Sequence, residues 1–305
     1  MPSPSAKTIS EYSKFLRYLD DKDVNYKNIT NLPKLLEDIS QLKTKNGTTI
    51  QLTSVKLYFS SILWYLKTNN LPYFTDELSQ ELCKINGKLK TIIESNTLIN
   101  SQKENYLEWD KILEIYNNLS KTHDTSQTRH KNYVLLSCYI LLPPRRLKDF
   151  SLMHITNNLQ NLDDCKNYYI NQSDCHFFIF QEYKTKNKYK VQKIRVPPPL
   201  ETIINLYISK YSITDSLFKL SEKNINNRLS RIFIKYANKQ ISVNILRHSY
   251  ITYLKKSGKL NDLQIKKTIS EIMGHSSTMQ DEYYKDKSKE YITLNNRDII
   301  ELPNL

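Results

Sequence analysis

"HFFIFQEYKTKNKYKVQKIRVPPP", residues 176–199, is where the chain changes its period. Its two arms alternate apolar with polar residues and are rich in Phe, Tyr, Val and Ile. A polar "KTKN" lies between them and three prolines close the stretch, the pattern of a β-hairpin. On both sides the apolar residues recur at helical spacing instead. Upstream, "TISEYSKFLRYL" opens with a capping-box pattern, Thr8 to Glu11, ahead of Tyr12, Phe15, Leu16 and Leu19. "LPKLLEDISQL", "LTSVKLYFSSILWYLK" and "DELSQELCKINGKLKTIIE" continue the theme, and "YLEWDKILEIYNNL" and "RHKNYVLLSCYILL" carry it up to the hairpin. Helices resume with "LETIINLYISKY", "NNRLSRIFIKYA", "SVNILRHSYITYLKK" and "DLQIKKTISEIM". The fold class expected is mainly α with a small antiparallel β-sheet.

The polar stretch "ESNTLINSQKEN" (94–105) interrupts the helical pattern and predicts a linker. The division expected is a helical unit over 1–97, a linker over 98–107, a second domain over 108–290 holding the hairpin, and a tail over 291–305.

Net charge is +14 with a pI near 9.3, a balance that bears on partners rather than on fold. Residues 1–100 carry 13 Lys/Arg against 10 Asp/Glu, so +11 of the total lies beyond them. A polyphosphate is the commonest partner of such a chain. The four cysteines, Cys83, Cys138, Cys165 and Cys175, form no CxxC pair, which disfavours a metal site or a disulfide framework. "MPSPSAKTIS" lacks the apolar core of a signal peptide, and "YVLLSCYILL" (133–142) is too short to span a bilayer. A soluble intracellular protein is expected. With four glycines and neither GxGxxG nor a P-loop, nucleotide-loop chemistry is not signalled.

Four separated places hold residues suited to phosphate work. In "LLPPRRLKDFSLMHI", Arg145 and Arg146 follow a double proline, and Asp149 lies on one helical face with Arg146, placed to orient its guanidinium fork. The alternative is ordinary surface arginines at a helix start. From Tyr183 to Arg195 the hairpin has six cations and no acid: Lys184, Lys186, Lys188, Lys190, Lys193 and Arg195. Lys184 or Lys186 is placed to protonate a leaving oxygen. The alternative is lysines that protect an exposed strand edge. In "VNILRHSYITYL", Val243, Leu246, Tyr250 and Leu254 mark a buried helical face. Arg247 lies close to it and so needs a partner, acidic side chain or anion; His248 reads as a structural hydrogen-bonding residue. In "MGHSSTMQDEYY", Gly274 ends a helix as a cap and "SST" offers the start of another, with His275 between them. The tyrosines Tyr283 and Tyr284 follow. A phenol, pKa near 10, is a weak nucleophile unless cations and donors surround it.

In this order the motifs "RRLKDF", "EYKTKNKYKVQKIRVP", "NILRHSY" and "MGHSSTMQDEYY" resemble those of the tyrosine recombinase (phage integrase) family, over roughly residues 106–290. The resemblance implies a helical core-binding (SAM-like) domain over 1–97 and an α+β catalytic domain over 108–290. It implies a site-specific recombinase or integrase that cuts and rejoins double-stranded DNA through a 3′-phosphotyrosyl link, with no metal and no nucleotide cofactor. Arg146 and Arg247 would clamp the scissile phosphate. Lys184, with Lys186 the alternative, would protonate the leaving 5′-hydroxyl, and His275 would donate to a non-bridging oxygen. Tyr284 would attack: its spacing from His275 and the following "YKD" favour it, whereas counting from Thr278 favours Tyr283. Arg145, Lys186, Lys188, Lys190, Lys193 and Arg195 would contact DNA. Four protomers would assemble on two DNA sites, the tail docking on a neighbour, with no membrane involved. One position departs from the family pattern: Asn244 stands where a His or Lys is usual. It opens one alternative, a relative that binds DNA with impaired catalysis; a second, an enzyme of the type IB topoisomerase or telomere resolvase kind, follows from the same active-site residues.

Overall fold

The computed structural model describes residues 4–44, 47–71, 73–95, 100–121, 126–160, 162–172, 176–275, 280 and 283–284. It divides into two compact units, Met1–Thr97 and Leu98–Tyr291.

The first unit is helical: α1 (Ala6–Asp20), α2 (Leu32–Ser40), α3 (Leu52–Thr68) and α4 (Thr75–Glu94). The capping box expected at Thr8 is displaced. Ser5 is the N-cap, and its hydroxyl accepts from the Thr8 amide three residues on, so α1 begins earlier. Asn31 caps α2 in the same way, with Pro33 in the first turn, where its missing N–H costs nothing. α3 packs against α1, α2 and α4. Leu19, Ile39, Ile62, Leu66 and Leu78 close the core with no exposed surface. Truncating any one of them to Ala costs about 2–5 kcal/mol.

The second unit runs α5 (Asn100–Asn105), α6 (Trp109–Ser120), α7 (Gln127–Ile140), α8 (Leu147–Ser151), β1 (Met153–Thr156), β2 (Asn167–Asn171), β3 (His176–Phe180), α9 (Lys186–Tyr189), β4 (Gln192–Arg195), α10 (Pro198–Tyr211), α11 (Glu222–Ala237), α12 (Val243–Lys256) and α13 (Leu263–Ile272), with a 3₁₀ turn at Lys259–Asn261 before α13. α7 is the central helix. Val134, Leu135, Leu136, Cys138 and Tyr139 are all buried, because α6, α10 and α11 pack around it. That enclosure explains its near-continuous apolar sequence.

The fold is mainly α with a small sheet, as expected, but the sheet is mixed. Strand order is β1-β2-β3-β4, with β1 parallel to β2 and the other pairs antiparallel. β3 and β4 pair in the register Phe177–Arg195 to Phe180–Gln192. The arm-to-arm link is not a tight turn, since residues 181–191 intervene and carry α9. The segment expected as a linker is also partly ordered: α5 and the residues after it are fastened to the α12 region. Gln240 N–H donates to Asn105 Oδ1 at 2.7 Å, and Ser249 Oγ donates to the Leu107 carbonyl at 2.6 Å. No described helix is long and apolar enough to cross a membrane. The tail expected at 291–305 lies outside the described residues.

Candidate active site

The end of α13 organises the site. α13 stops in a Schellman turn: His275 N–H donates to the Ser270 carbonyl (3.0 Å) and Gly274 N–H to the Glu271 carbonyl (2.9 Å). Gly274 has φ +63°, and a Cβ there would lie 3.2 Å from Arg145 Nη2 and 3.5 Å from Tyr183 Cδ2. Only glycine fits both the backbone and the space.

A helix C-terminus leaves orphan carbonyls at the negative end of its dipole. Here five consecutive carbonyls receive donors from three other segments. Gln192 Nε2 donates to Glu271 (2.8 Å), and Arg145 Nη1 to Ile272. Arg247 Nη1 donates to Met273 (3.2 Å). Arg146 Nη1 (2.5 Å) and Thr185 Oγ1 (2.8 Å) share Gly274, and Tyr189 OH reaches His275 (3.0 Å). Three guanidiniums converge on one turn because its carbonyls offset their mutual repulsion.

The arginines differ in environment. Arg146 is the N-cap residue of α8, with extended backbone, and is partly exposed. Arg145 is fully buried. Its Nε meets Asp149 Oδ2 at 2.7 Å, Nη1 meets Gln192 Oε1 at 3.0 Å, and its guanidinium carbon lies 3.8 Å from the Phe180 ring centroid. Asp149 pairs with Arg145, four residues away, rather than with Arg146: both arginines precede α8, and the Arg146 guanidinium is turned instead to the Gly274 carbonyl. Arg145, expected to contact DNA, is buried to the same degree as Arg247 and spends its guanidinium on Asp149, Gln192 and the Ile272 carbonyl. Burial lowers the Arg145 pKa from its ordinary value, while Asp149 opposes the shift.

Arg247 is also fully buried on α12. Its Nη1 donates to the Pro144 carbonyl at 2.6 Å as well as to Met273. Among the described residues its Nε and Nη2 have no hydrogen-bond partner of acceptable geometry. Burial lowers its pKa; the neighbouring Tyr283 phenol opposes this, and Arg146 adds to it. An arginine remains charged nonetheless.

The two tyrosines part company. Tyr283 is buried, its ring centroid 4.7 Å from the Arg247 guanidinium carbon, 5.4 Å from the His275 ring and 4.9 Å from the His248 ring. Tyr284 is no longer helical, and its ring lies under Lys255 Nζ at 4.0 Å. Spacing favours Tyr284, but of the pair it is Tyr283 whose ring lies among Arg247, His275 and His248. The "SST" cap falls at 276–278, outside the described residues.

His275 is fully buried, with Nε2 3.3 Å from Met273 Sδ. Lys184 is exposed, but its neighbours on either side touch the turn, Tyr183 against Gly274 and Thr185 through its hydroxyl. Lys186 instead points to the Asp164 carbonyl (3.2 Å) and to Glu182 (3.7 Å). Lys188, Lys190, Lys193 and Arg195 are exposed. Of these Lys193 covers the Phe177 ring at 4.1 Å and Lys188 lies 5.1 Å from the Tyr189 ring. Asn244 is exposed on α12, three residues before Arg247.

Sequence reasoning missed the residues that brace these groups. Asn167, fully buried, donates through Nδ2 to the carbonyls of Asp149 and Glu182 and accepts through Oδ1 from the amides of Gln181 and Glu182. It joins α8 to the lysine-bearing loop. Gln192, Thr185 and Tyr189 hold that loop to the α13 turn. A polar residue in a strand carries no local sign of such a role.

No family model matches the chain, and none of the curated proteins does. Among solved structures, the chain is similar to XerH site-specific recombinase bound to palindromic difH substrate in a post-cleavage complex. The two are 15% identical over 92% of this chain and 93% of that one, with a TM-score of 0.45. The pre-cleavage complex of XerH with difH gives 14% identity over 94% of each chain and a TM-score of 0.39. At these levels the likeness says nothing of which residues act.

Proposed function

We propose that this chain is a DNA strand transferase that cuts and rejoins double-stranded DNA through Tyr283, in the manner of a tyrosine recombinase. One observation carries the reading. Tyr283 lies against a buried arginine, Arg247, whose Nε and Nη2 lack hydrogen-bond partners among the described residues, with Arg146 on the same turn. Buried donors are normally satisfied, and a guanidinium fork matches two phosphate oxygens.

In this mechanism Arg247 and Arg146 hold the scissile phosphate and stabilise the charge that grows on it in the transition state. The Tyr283 oxygen attacks phosphorus, its proton passing to solvent, and the bond to the 5′-oxygen breaks. Lys184, anchored on both sides to the Gly274 turn, supplies the proton to that oxygen. His275 donates to a non-bridging oxygen. The phosphotyrosyl ester keeps the bond energy, so the reverse attack by a 5′-hydroxyl rejoins a strand. The exposed cations Lys188, Lys190, Lys193 and Arg195 contact the DNA backbone, and assembly of four protomers on two sites completes the exchange. Integration of a mobile or viral element is the use proposed for that exchange. Asn244 can donate to a phosphate oxygen but cannot move a proton.

The test is a nicked duplex, chosen by the protein from a random-sequence pool and incubated in EDTA. A covalent protein–DNA adduct that Tyr283→Phe abolishes is the expected result. Tight binding without any adduct would instead support a DNA-binding relative in which the change to Asn244 has cost catalysis.

A further inference from the structure

The histidine that follows Arg247 has a place the sequence did not give it. His248 Nδ1 lies 2.9 Å from the Tyr283 main-chain carbonyl, 35 residues away, and its ring is 4.9 Å from the Tyr283 ring at 60°. A carbonyl only accepts, so Nδ1 must carry the proton. In the neutral ring Nε2 is then an acceptor. The group facing Nε2 fits this: Gln102 Nε2, an amide donor on α5, lies 3.4 Å away. The two contacts thus call for the same tautomer.

We propose that His248 is a positioning residue that selects Tyr283 over Tyr284 as the nucleophile, which rests on the phosphotyrosyl reading above. The contact grips main chain and ring of the same residue. With the Tyr283 carbonyl held by Nδ1–H and its ring held between His248, His275 and Arg247, the next side chain must turn away. It does so, toward Lys255. Because α5 is fastened to Gln240 through Asn105, and the chain just after it to Ser249 through Leu107, Gln102 fixes the imidazole from behind. The chain of contacts runs Gln102, His248, Tyr283. A misplacement of an attacking group by about 1 Å costs on the order of 100-fold in rate. That is the scale of the effect expected if the grip is lost.

The experiment compares wild type, His248→Ala, His248→Asn and Tyr283→Phe. Single-turnover adduct formation and DNA affinity are both read, with thermal melts recorded alongside. His248→Ala is expected to slow the adduct by about 100-fold with DNA affinity and melting unchanged. Asparagine sets its amide nitrogen near the place of Nδ1, so His248→Asn restores most of the rate. If His248→Ala reacts at the wild-type rate while Tyr283→Phe is dead, the proposal fails and the phosphotyrosyl reading stands. If Tyr283→Phe still forms adduct, the reading itself fails. A second measurement needs no activity: nitrogen NMR of histidine-labelled protein is expected to show His248 protonated at Nδ1. Protonation at Nε2 alone would overturn the proposal.

Discussion

Replacing Arg145 by methionine isolates the buried pair that supports the site. Asp149 is 1% exposed; its Oδ2 is bonded to Arg145 Nε, and its Oδ1 has no hydrogen-bond partner among the described residues. In Arg145→Met the carboxylate is left buried without its countercharge, and the Ile272 carbonyl loses its donor. Breaking a buried pair from one side costs about 3–5 kcal/mol. At a urea m-value of about 2–3 kcal/mol/M, the unfolding midpoint falls by about 1–2 M. The chain has two tryptophans, Trp64 in the first unit and Trp109, 4% exposed, in the second. A Trp64→Phe background therefore reports the second unit alone. Asp149→Asn is expected to cost a similar amount, because it strands a buried guanidinium. The double variant removes both charges and costs less than the sum by about 2 kcal/mol or more. Additivity within about 0.5 kcal/mol would refute the reasoning, since it would mean that the two groups do not share a low-dielectric site.

Other outcomes follow from the same geometry. Gly274→Ala forces a Cβ toward Arg145 and a left-handed backbone, so the second unit loses roughly 1–2 kcal/mol. The urea assay would read this together with slower cleavage, since the Gly274 carbonyl holds Arg146 and Thr185. Arg247→Gln should bind DNA within a few-fold of wild type yet cleave about 10²–10³-fold more slowly. A methylphosphonate in place of the scissile phosphate, having one charge fewer, should recover part of that loss in single-turnover assays. Cys83 and Cys165 are exposed while Cys138 is buried, and burial pushes its thiol pKa up. Maleimide labelling followed by mass spectrometry should therefore modify the first two in native protein and Cys138 only after unfolding.

Periodicity gave away the long helices but not α5 or α9. Of Val55, Leu57, Tyr58, Ile62, Leu63 and Leu66, the apolar positions read at helical spacing in α3, all are buried except Leu57, which is 37% exposed. The parallel pairing of β1 with β2 was not legible. Each strand is only four or five residues long, and β1 is also bonded to a segment distant in sequence, Ile155 N–H to the Asp215 carbonyl. Within the candidate site, the residue types were readable but their partners were not. The sequence places Asp149 three residues from Arg146 and four from Arg145, and helical spacing allows either. What decided it was where the two guanidiniums go: both arginines precede α8, and Arg146 turns to the Gly274 carbonyl while Arg145 turns inward to Asp149. Likewise Tyr283 and Tyr284 are equivalent in composition. Only the positions of Arg247, His275 and His248, brought in by α12 and the α13 turn, distinguish them.

The identity of the attacking tyrosine tests the central claim most directly. Trypsin would release residues 268–285, "TISEIMGHSSTMQDEYYK", as one peptide carrying both tyrosines. After nuclease trimming of the covalent adduct, fragment ions that separate the two would locate the phosphoester. The account requires it on Tyr283. A phosphoester on Tyr284, or an adduct joined through any other residue, would contradict it.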